Sequence, residues 1–157
     1  MENLFKGIHN LSLDSKGRLG IPITYRDHIM GLLKGSMVIT IDTEEKCLLL
    51  YPSTVWSKIQ DKISKLPSFN KNARRIQRLL IGHAEDIDVD SSGRILISKP
   101  LREYASLSKK IILIGQGEKF EIWNQGTWNE NVEMWREEAT SNDCLLYTSD
   151  AADDTTG

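Results

Sequence analysis

Two five-residue segments of this sequence place a carboxylate and a guanidinium at the same spacing. Residues 14–18 read Asp-Ser-Lys-Gly-Arg, and residues 90–94 read Asp-Ser-Ser-Gly-Arg. Because Asp and Ser side chains bond to nearby backbone amides and Gly accepts a positive φ, each segment predicts a tight turn. An arginine at the end of such a turn can hold a phosphate or make two hydrogen bonds to a guanine edge. Each segment is therefore either a turn closed by an ion pair or an edge that presents cations to DNA.

The residues of these turns divide into candidate DNA contacts and candidate supports. Four side chains are predicted to face DNA: Ser15, Lys16, Arg18 and Arg94. Asp14 and Asp90 are predicted instead to bind the turn amides or the neighbouring guanidinium, which fixes the direction of each arginine. Because Ser92 stands where the first segment has Lys16, the two segments need not contribute equally to affinity.

The two segments belong to a longer internal repeat. Residues 13–21 match residues 89–97 at a constant offset of 76. The match continues in three further pairs: Arg26 with Arg102, residues 38–41 with 111–114, and Trp56 with Trp128 at an offset of 72. Because a repeat indicates a duplicated structural unit, we predict a first module at residues 1–66, a connecting helix at 67–82 and a second module at 83–140.

Hydrophobic periodicity predicts an α+β fold for both modules. Apolar residues alternate after each turn, which is typical of strands; they are Leu19, Ile21 and Ile23 in the first copy, and Ile95 and Ile97 in the second. Further strands are predicted at residues 37–41, 47–51, 110–115 and 120–123. Helices are predicted at residues 24–33, 54–66, 71–81, 101–107 and about 127–138, with Ser53 and Asn70 capping the second and third.

Composition limits the classes of function. The chain has 157 residues, of which 39% are hydrophobic and 27% charged, as in ordinary globular proteins. No stretch of eighteen apolar residues predicts a membrane span, and the first six residues lack a signal-peptide core, so we expect a cytoplasmic location. Cys47 and Cys144 fit neither a metal motif nor a disulfide framework. Since no catalytic constellation or phosphate-binding loop is found either, we expect no enzyme, no cofactor, no metal and no small-molecule substrate.

The C-terminal segment of residues 144–157 differs from the rest. Its first ten residues resemble translated adapter sequence from a sequencing library, so we interpret the segment as a non-native or disordered tail. It contains three acids and no Lys or Arg, so the preceding 143 residues carry a net charge of +1, against −2 for the whole chain. A nearly neutral chain can still bind DNA if its cations lie together on one face.

Several segments together resemble the MraZ family: residues 7–18, 47–52, 66–70 and 74–84. The similarity extends over about residues 4–130. It implies two tandem AbrB-like swapped-hairpin β modules that form a β-barrel-like core with flanking helices. It also implies a bacterial transcriptional regulator of the division and cell wall gene cluster. Such a regulator binds repeats in double-stranded promoter DNA as a ring-shaped homo-oligomer, in the cytoplasm and associated with the nucleoid.

The chain departs from the family pattern at one position, and two interpretations of its residues stay open. The family's Asp-x-x-x-Arg hallmark is present in both halves, but Ser98 stands where the first half has Pro22, and the family often has proline there. A basic stretch in the connecting helix is either a second phosphate contact or a solvated face: Lys71, Arg74, Arg75 and Arg78. Because fold does not fix function, the alternative to a DNA regulator is a non-catalytic, antitoxin-like interaction module of the AbrB-like fold. Only the regulator would depend on Arg18 and Arg94.

Overall fold

Pairs of short strands alternate with helices along the chain. A computed structural model describes residues 5–31 and 34–141. In chain order the elements are β1 (Phe5–Ser12), β2 (Arg18–Gly20), α1 (Ile23–Gly31), β3 (Ser36–Ile41), β4 (Leu48–Pro52), α2 (Ser53–Ser64), α3 (Lys71–Ile76), a π-helical turn (Gln77–Ile81), β5 (Glu85–Asp88), β6 (Arg94–Leu96), α4 (Lys99–Tyr104), β7 (Lys110–Gly117), β8 (Phe120–Asn124) and α5 (Gln125–Ser141). The predicted α+β class is confirmed.

Six strands form one antiparallel sheet in which the two repeats exchange strands. The order is β1-β7-β8-β4-β3-β5, so the first strand of each repeat pairs with a strand of the other repeat. Interchanging the repeats reverses this order, which describes a pseudo-two-fold axis between β4 and β8. Leu49 lies opposite Glu121 on these central strands, and the repeat offset of 72 makes the two residues equivalent. The strand pairings therefore cross the predicted boundary between the modules.

The remaining two strands form a short antiparallel ribbon, β2–β6, which we call the ribbon. Leu19 pairs with Ile95 at its centre, and these residues are equivalent at the repeat offset of 76. Beyond the paired residues, Ile21 N donates to Gly93 O (2.8 Å) and Ile97 N donates to Gly17 O (2.9 Å). The ribbon thus obeys the same pseudo-two-fold symmetry as the large sheet.

Both faces of the sheet are covered within residues 5–125. One face packs against the ribbon, α1 and α4, through side chains that include Leu19, Ile95 and Phe120. The other face carries a smaller cluster around Trp56 that also includes Val38 and α2 side chains. Because both faces are buried, β3 and β4 are almost continuously apolar instead of alternating. The edges of the sheet are β1 and β5, and no pairing between them occurs among the described residues, so β-barrel-like closure is not confirmed.

Several local expectations are corrected by the structure. Ser53 is the first residue of α2 and not its cap; Pro52 occupies the capping position, and the Ser53 hydroxyl lies 2.7 Å from that of Ser36. Ile23 was expected on a strand, but it begins α1 and is 76% exposed. The predicted helix at 71–81 is split into α3 and the π-helical turn, in which Gly82 N donates to Gln77 O, five residues back. The contact between Ser53 and Ser36 is a tertiary one, which sequence periodicity does not report.

The last helix belongs to a separate compact unit that begins at Gly126. Within it, the rings of Trp128 and Trp135 meet edge to face with centroids 5.7 Å apart, and Asn131 donates to the Thr127 carbonyl (2.8 Å). The predicted tail at 144–157 lies outside the described residues. Among the helices that the structure describes, none combines the length and apolarity needed to cross a membrane.

Candidate nucleic-acid interface

The first turn is organised around one carboxylate. Oδ1 of Asp14 accepts hydrogen bonds from the backbone amides of Lys16 (2.9 Å) and Arg18 (2.8 Å). Its Oδ2 accepts a further bond from Nε of Arg18 (2.9 Å). Gly17 closes the turn with a φ of +89°, and its amide donates to the Asp14 carbonyl. The predicted support role of Asp14 therefore has a direct geometric basis, since one side chain holds both the backbone and the guanidinium.

The second turn repeats this arrangement with one difference. Oδ1 of Asp90 accepts from the amides of Ser92 and Arg94, both at 2.9 Å. Gly93 again has a positive φ, of +80°. Nε of Arg94 lies 3.6 Å from Oδ2 of Asp90, close enough for an ion pair but not for a hydrogen bond. The second arginine is therefore held less tightly than the first.

These hydrogen bonds stabilise the charged form of both carboxylates. The backbone amide of Arg18 is the main cause that holds the pKa of Asp14 below its usual range, and the Arg18 guanidinium and the Lys16 amide add to it. The amide of Arg94 likewise lowers the pKa of Asp90, and the charge of Arg18 from the other turn contributes too. The charge of Arg18, in the first turn, therefore also stabilises the ionised carboxylate of Asp90, in the second turn.

The ribbon directs both arginines to the same side. Successive residues of a strand point to opposite faces, and Leu19 and Ile95 are buried in the core. Arg18 and Arg94, one residue before them, must therefore face outward. Their side chains are 32% and 38% exposed. The structure thus brings the two predicted arginines together on one ribbon, with an aspartate beside each.

The other predicted contacts lie in the first turn. Ser15 and Lys16 are both exposed there. Ser15 and Asp14 also line a cleft of about 480 Å³, together with Arg102 and Lys109. This cleft adds two cations to the edge of the first turn that the prediction did not include.

Two arginines beside the turns have a role that the sequence analysis did not assign. Nε of Arg102 donates to the Ile97 carbonyl (3.0 Å), and its guanidinium lies against Gly17 of the other repeat. Arg26 bonds in the same way to the Ile21 carbonyl (2.6 Å) and lies against Gly93. Each turn is therefore packed under an arginine of the opposite repeat. The sequence repeat is the signal that could have revealed this shared role, because Arg26 and Arg102 match at the offset of 76.

One group of possible metal ligands occurs in the part of the chain that the structure describes. Ligand atoms of Asp42, Cys47 and Glu121 lie within 4.8 Å of one another. Their carboxylates also have local partners, since Asp42 accepts from the amides of the following turn and Glu121 from the indole of Trp123. Burial, together with the charges of Glu121 and Asp42, raises the pKa of the Cys47 thiol. We assign no metal to this group.

The fold and this site define a class: a tandem repeat with exchanged strands that presents paired aspartate–arginine turns on a common ribbon. Comparison with known proteins identifies the class. The profile of the MraZ protein family, described as antitoxin-like, matches residues 4–79 and again residues 80–144. The chain belongs to the MraZ family, as the sequence motifs predicted.

Relatives of the chain carry the name of this family. The chain is 52% identical to "Transcriptional regulator MraZ" of Legionella pneumophila over 143 residues, which cover 90% of this chain and 94% of the relative. It is 50% identical to the protein of that name from Alkalilimnicola ehrlichii over 136 residues, covering 87% and 91%. The corresponding protein of Coxiella burnetii is 48% identical over 132 residues, covering 84% and 87%.

Proposed function

We propose that this chain is a sequence-specific DNA-binding transcriptional regulator and not an enzyme. Its target is the promoter DNA of the division and cell wall gene cluster, which it binds in the nucleoid as a ring-shaped homo-oligomer. The names of its relatives support the regulatory role. The gene cluster and the ring are what the family resemblance implies.

The observation that carries the proposal is the outward face of the ribbon. A two-stranded ribbon fits the major groove of B-DNA, and this one carries Arg18 and Arg94 on its exposed face. Among the described hydrogen bonds, the Arg18 side chain uses only Nε, toward Asp14. The contact with Asp14 orients the guanidinium, and its two terminal nitrogens make none of the described hydrogen bonds. This geometry suits the bidentate contact of arginine with guanine O6 and N7.

The ribbon is also preorganised for such contacts. Asp14 fixes the direction of Arg18 before any ligand arrives, so less side-chain freedom is lost on binding. The guanidinium groups of Arg26 and Arg102 buttress the turns from the opposite repeat. A rigid support of this kind favours base readout over loose attraction to phosphates.

The oligomer part of the proposal follows from the small number of cations at each ribbon. With a net charge near zero, one chain gains little from counterion release. Several identical ribbons spaced along DNA repeats would multiply weak contacts through effective concentration. Exposed apolar side chains are available for subunit contacts, Phe69 at 90% exposure and Ile8 at 56% among them. A single subunit is therefore expected to bind much more weakly than the assembly.

The proposal is tested with the full chain and DNA from upstream of its own gene. Fluorescence anisotropy at several salt concentrations compares the wild type with Arg18→Ala, Arg94→Ala and a control, Arg136→Ala, which removes the same charge from an exposed position on helix α5. Each ribbon variant is expected to weaken binding by about 1–3 kcal/mol, or roughly 5- to 150-fold in Kd. The control is expected to stay near the wild type, and all variants are expected to keep the wild-type oligomer in light scattering.

Two outcomes contradict the proposal. Wild-type chain that shows no preference for the promoter fragment over a scrambled duplex of equal length is not a sequence-specific regulator. Ribbon variants that bind as tightly as Arg136→Ala separate the arginines from DNA recognition. Either result would return the chain to the alternative of an antitoxin-like interaction module.

A further inference from the structure

The exposed face of the ribbon departs from two-fold symmetry at one pair of positions. Arg18 and Arg94 are equivalent, and so are the outward positions two residues further on, which hold Gly20 and Leu96. The first has no side chain, whereas the second is an isobutyl group that is 58% exposed. Among the paired residues of this face, the guanidinium groups of Arg18 and Arg94 therefore lie beside one apolar side chain, that of Leu96.

Leu96 lies at a defined place on this face. It is the cross-strand partner of Arg18, whereas Gly20 is the partner of Arg94. Directly opposed residues of an antiparallel pair have β-carbons about 4.5–5.5 Å apart. The isobutyl group of Leu96 and the guanidinium of Arg18 therefore emerge side by side and would meet neighbouring bases.

Packing does not explain the difference between the two positions. The ribbon contributes Leu19 and Ile95 to the core through its opposite face, so the fold needs no apolar group at Leu96. A β-carbon placed on Gly20 would meet only Nη2 of Arg26, at an ordinary contact distance of 3.8 Å. Gly20 thus has room for a β-carbon, and the choice of residue at the two positions is free to serve recognition.

We propose, on the basis of the proposed DNA-binding function, that Leu96 recognises the C5-methyl group of a thymine next to the base contacted by Arg18. In the major groove this methyl group is the apolar mark that distinguishes thymine, and it is read by apolar side chains. An exposed isobutyl group beside a base-reading guanidinium has the chemistry for that contact. Gly20 has no side chain to make this contact. The part of the exposed face around Arg94 therefore has no apolar group that recognises a methyl group in this way.

The test uses two duplexes of the same upstream sequence, one with thymine and one with uracil at every thymine position. Uracil pairs as thymine does but lacks the methyl group. Loss of one buried methyl contact is expected to weaken binding of the wild type by at least about fourfold. Leu96→Ala is expected to bind both duplexes equally, at an affinity close to that of the wild type for the uracil duplex. Single uracil substitutions then locate the thymine that is read.

Two matched variants sharpen the comparison. Ile23→Ala removes a similarly exposed apolar side chain outside the ribbon and is expected to keep the full preference for thymine. The exchange Gly20→Leu with Leu96→Gly moves the isobutyl group to the partner position of Arg94. It is expected to transfer the uracil penalty to a different thymine in the single-substitution scan.

The outcomes separate this inference from the proposed function. Equal binding of both duplexes by the wild type, with Arg18→Ala still deficient, overturns the role of Leu96 and leaves the DNA-binding function intact. A uracil penalty that persists in Leu96→Ala assigns the methyl contact to another residue and also overturns it. A Leu96→Ala variant that changes oligomeric mass and loses both duplexes equally makes Leu96 a subunit contact. Failure of the wild type to bind either duplex overturns the DNA-binding function itself.

Discussion

Substitution of Gly17 by alanine tests the packing of the first turn against the second repeat. Gly17 has a φ of +89°. A β-carbon there would lie 2.8 Å from Nε and 2.9 Å from Cζ of Arg102, and 3.0 Å from the Ile97 carbonyl oxygen. The substitution therefore carries two separate costs, one in the backbone of the turn and one in the contact with the other repeat.

The two costs have different sizes. An alanine held in left-handed conformation costs roughly 1–2 kcal/mol. Moving the guanidinium breaks the 3.0 Å bond from Arg102 to the Ile97 carbonyl, and a hydrogen bond to a charged group contributes about 1.5–3 kcal/mol. The free energy of unfolding of Gly17→Ala should thus fall by about 2.5–5 kcal/mol, which corresponds to a Tm lowered by roughly 5–20 °C for a chain of this length.

A double-mutant cycle separates the two costs. Urea unfolding at one fixed protein concentration compares the wild type, Gly17→Ala, Arg102→Ala and the double variant. Once Arg102 is shortened, the clash with the guanidinium disappears, so in that background Gly17→Ala should lose only the backbone part and the tight contact with the Ile97 carbonyl oxygen. The expected coupling is at least about 1 kcal/mol, beyond the additivity limit of about 0.5 kcal/mol for independent sites.

The control is Gly31→Ala. A β-carbon at Gly31 meets no atom within 4 Å, so this substitution should be neutral or stabilising by up to about 1 kcal/mol. If Gly17→Ala and Arg102→Ala add without coupling, the guanidinium does not lie on the turn, and the cross-repeat support described above is wrong.

Two further predictions concern titratable groups. Because the pKa values of Asp14 and Asp90 are lowered in the folded chain, their contribution to stability is complete above the unfolded value of about 3.9 and is lost as the pH falls through the lower folded values. The stability difference between the wild type and Asp14→Asn/Asp90→Asn, measured by urea unfolding from pH 6 to pH 2, should therefore shrink below about pH 4; a constant difference would contradict this. Because burial raises the pKa of Cys47, the folded Cys144→Ser variant should resist a thiol reagent at about pH 8 and react only after unfolding; rapid reaction of the folded chain would show that the thiol is accessible.

The parts of the fold that could be predicted are those encoded by local chemistry. Both turns could be predicted because Asp and Gly at that spacing are typical of tight turns. Each glycine does have a positive φ. The cap of α3 was also predicted, and the Asn70 side chain accepts from the amides of Asn72 and Ala73. The alternation in β2 and β6 was sufficient to infer which ribbon residues are buried, and hence that Arg18 and Arg94 face outward.

The remaining features depend on contacts between distant segments. Serine is a common helix cap, but the Ser53 hydroxyl at the start of α2 is hydrogen-bonded to that of Ser36 on strand β3. The repeat offset showed that Arg26 and Arg102 correspond, but not that each lies on the turn of the opposite repeat. The value of Leu96 as a candidate contact likewise became visible only with the register of β2 against β6. Register between separate repeats is a tertiary property, and no short window of sequence carries it.

The exchange of strands between repeats has a consequence during translation. Among the strands that the structure describes, β1 pairs with β7 alone, about 100 residues further along the chain. At a synthesis rate of about 5–20 residues per second, β1 stays unpaired for roughly 5–20 s until β7 has also left the ribosome. An unpaired strand is a template for any complementary edge, and β7 of another copy is chemically identical to its own. Two nascent chains on the same messenger RNA can therefore exchange their β1 strands before either sheet is complete.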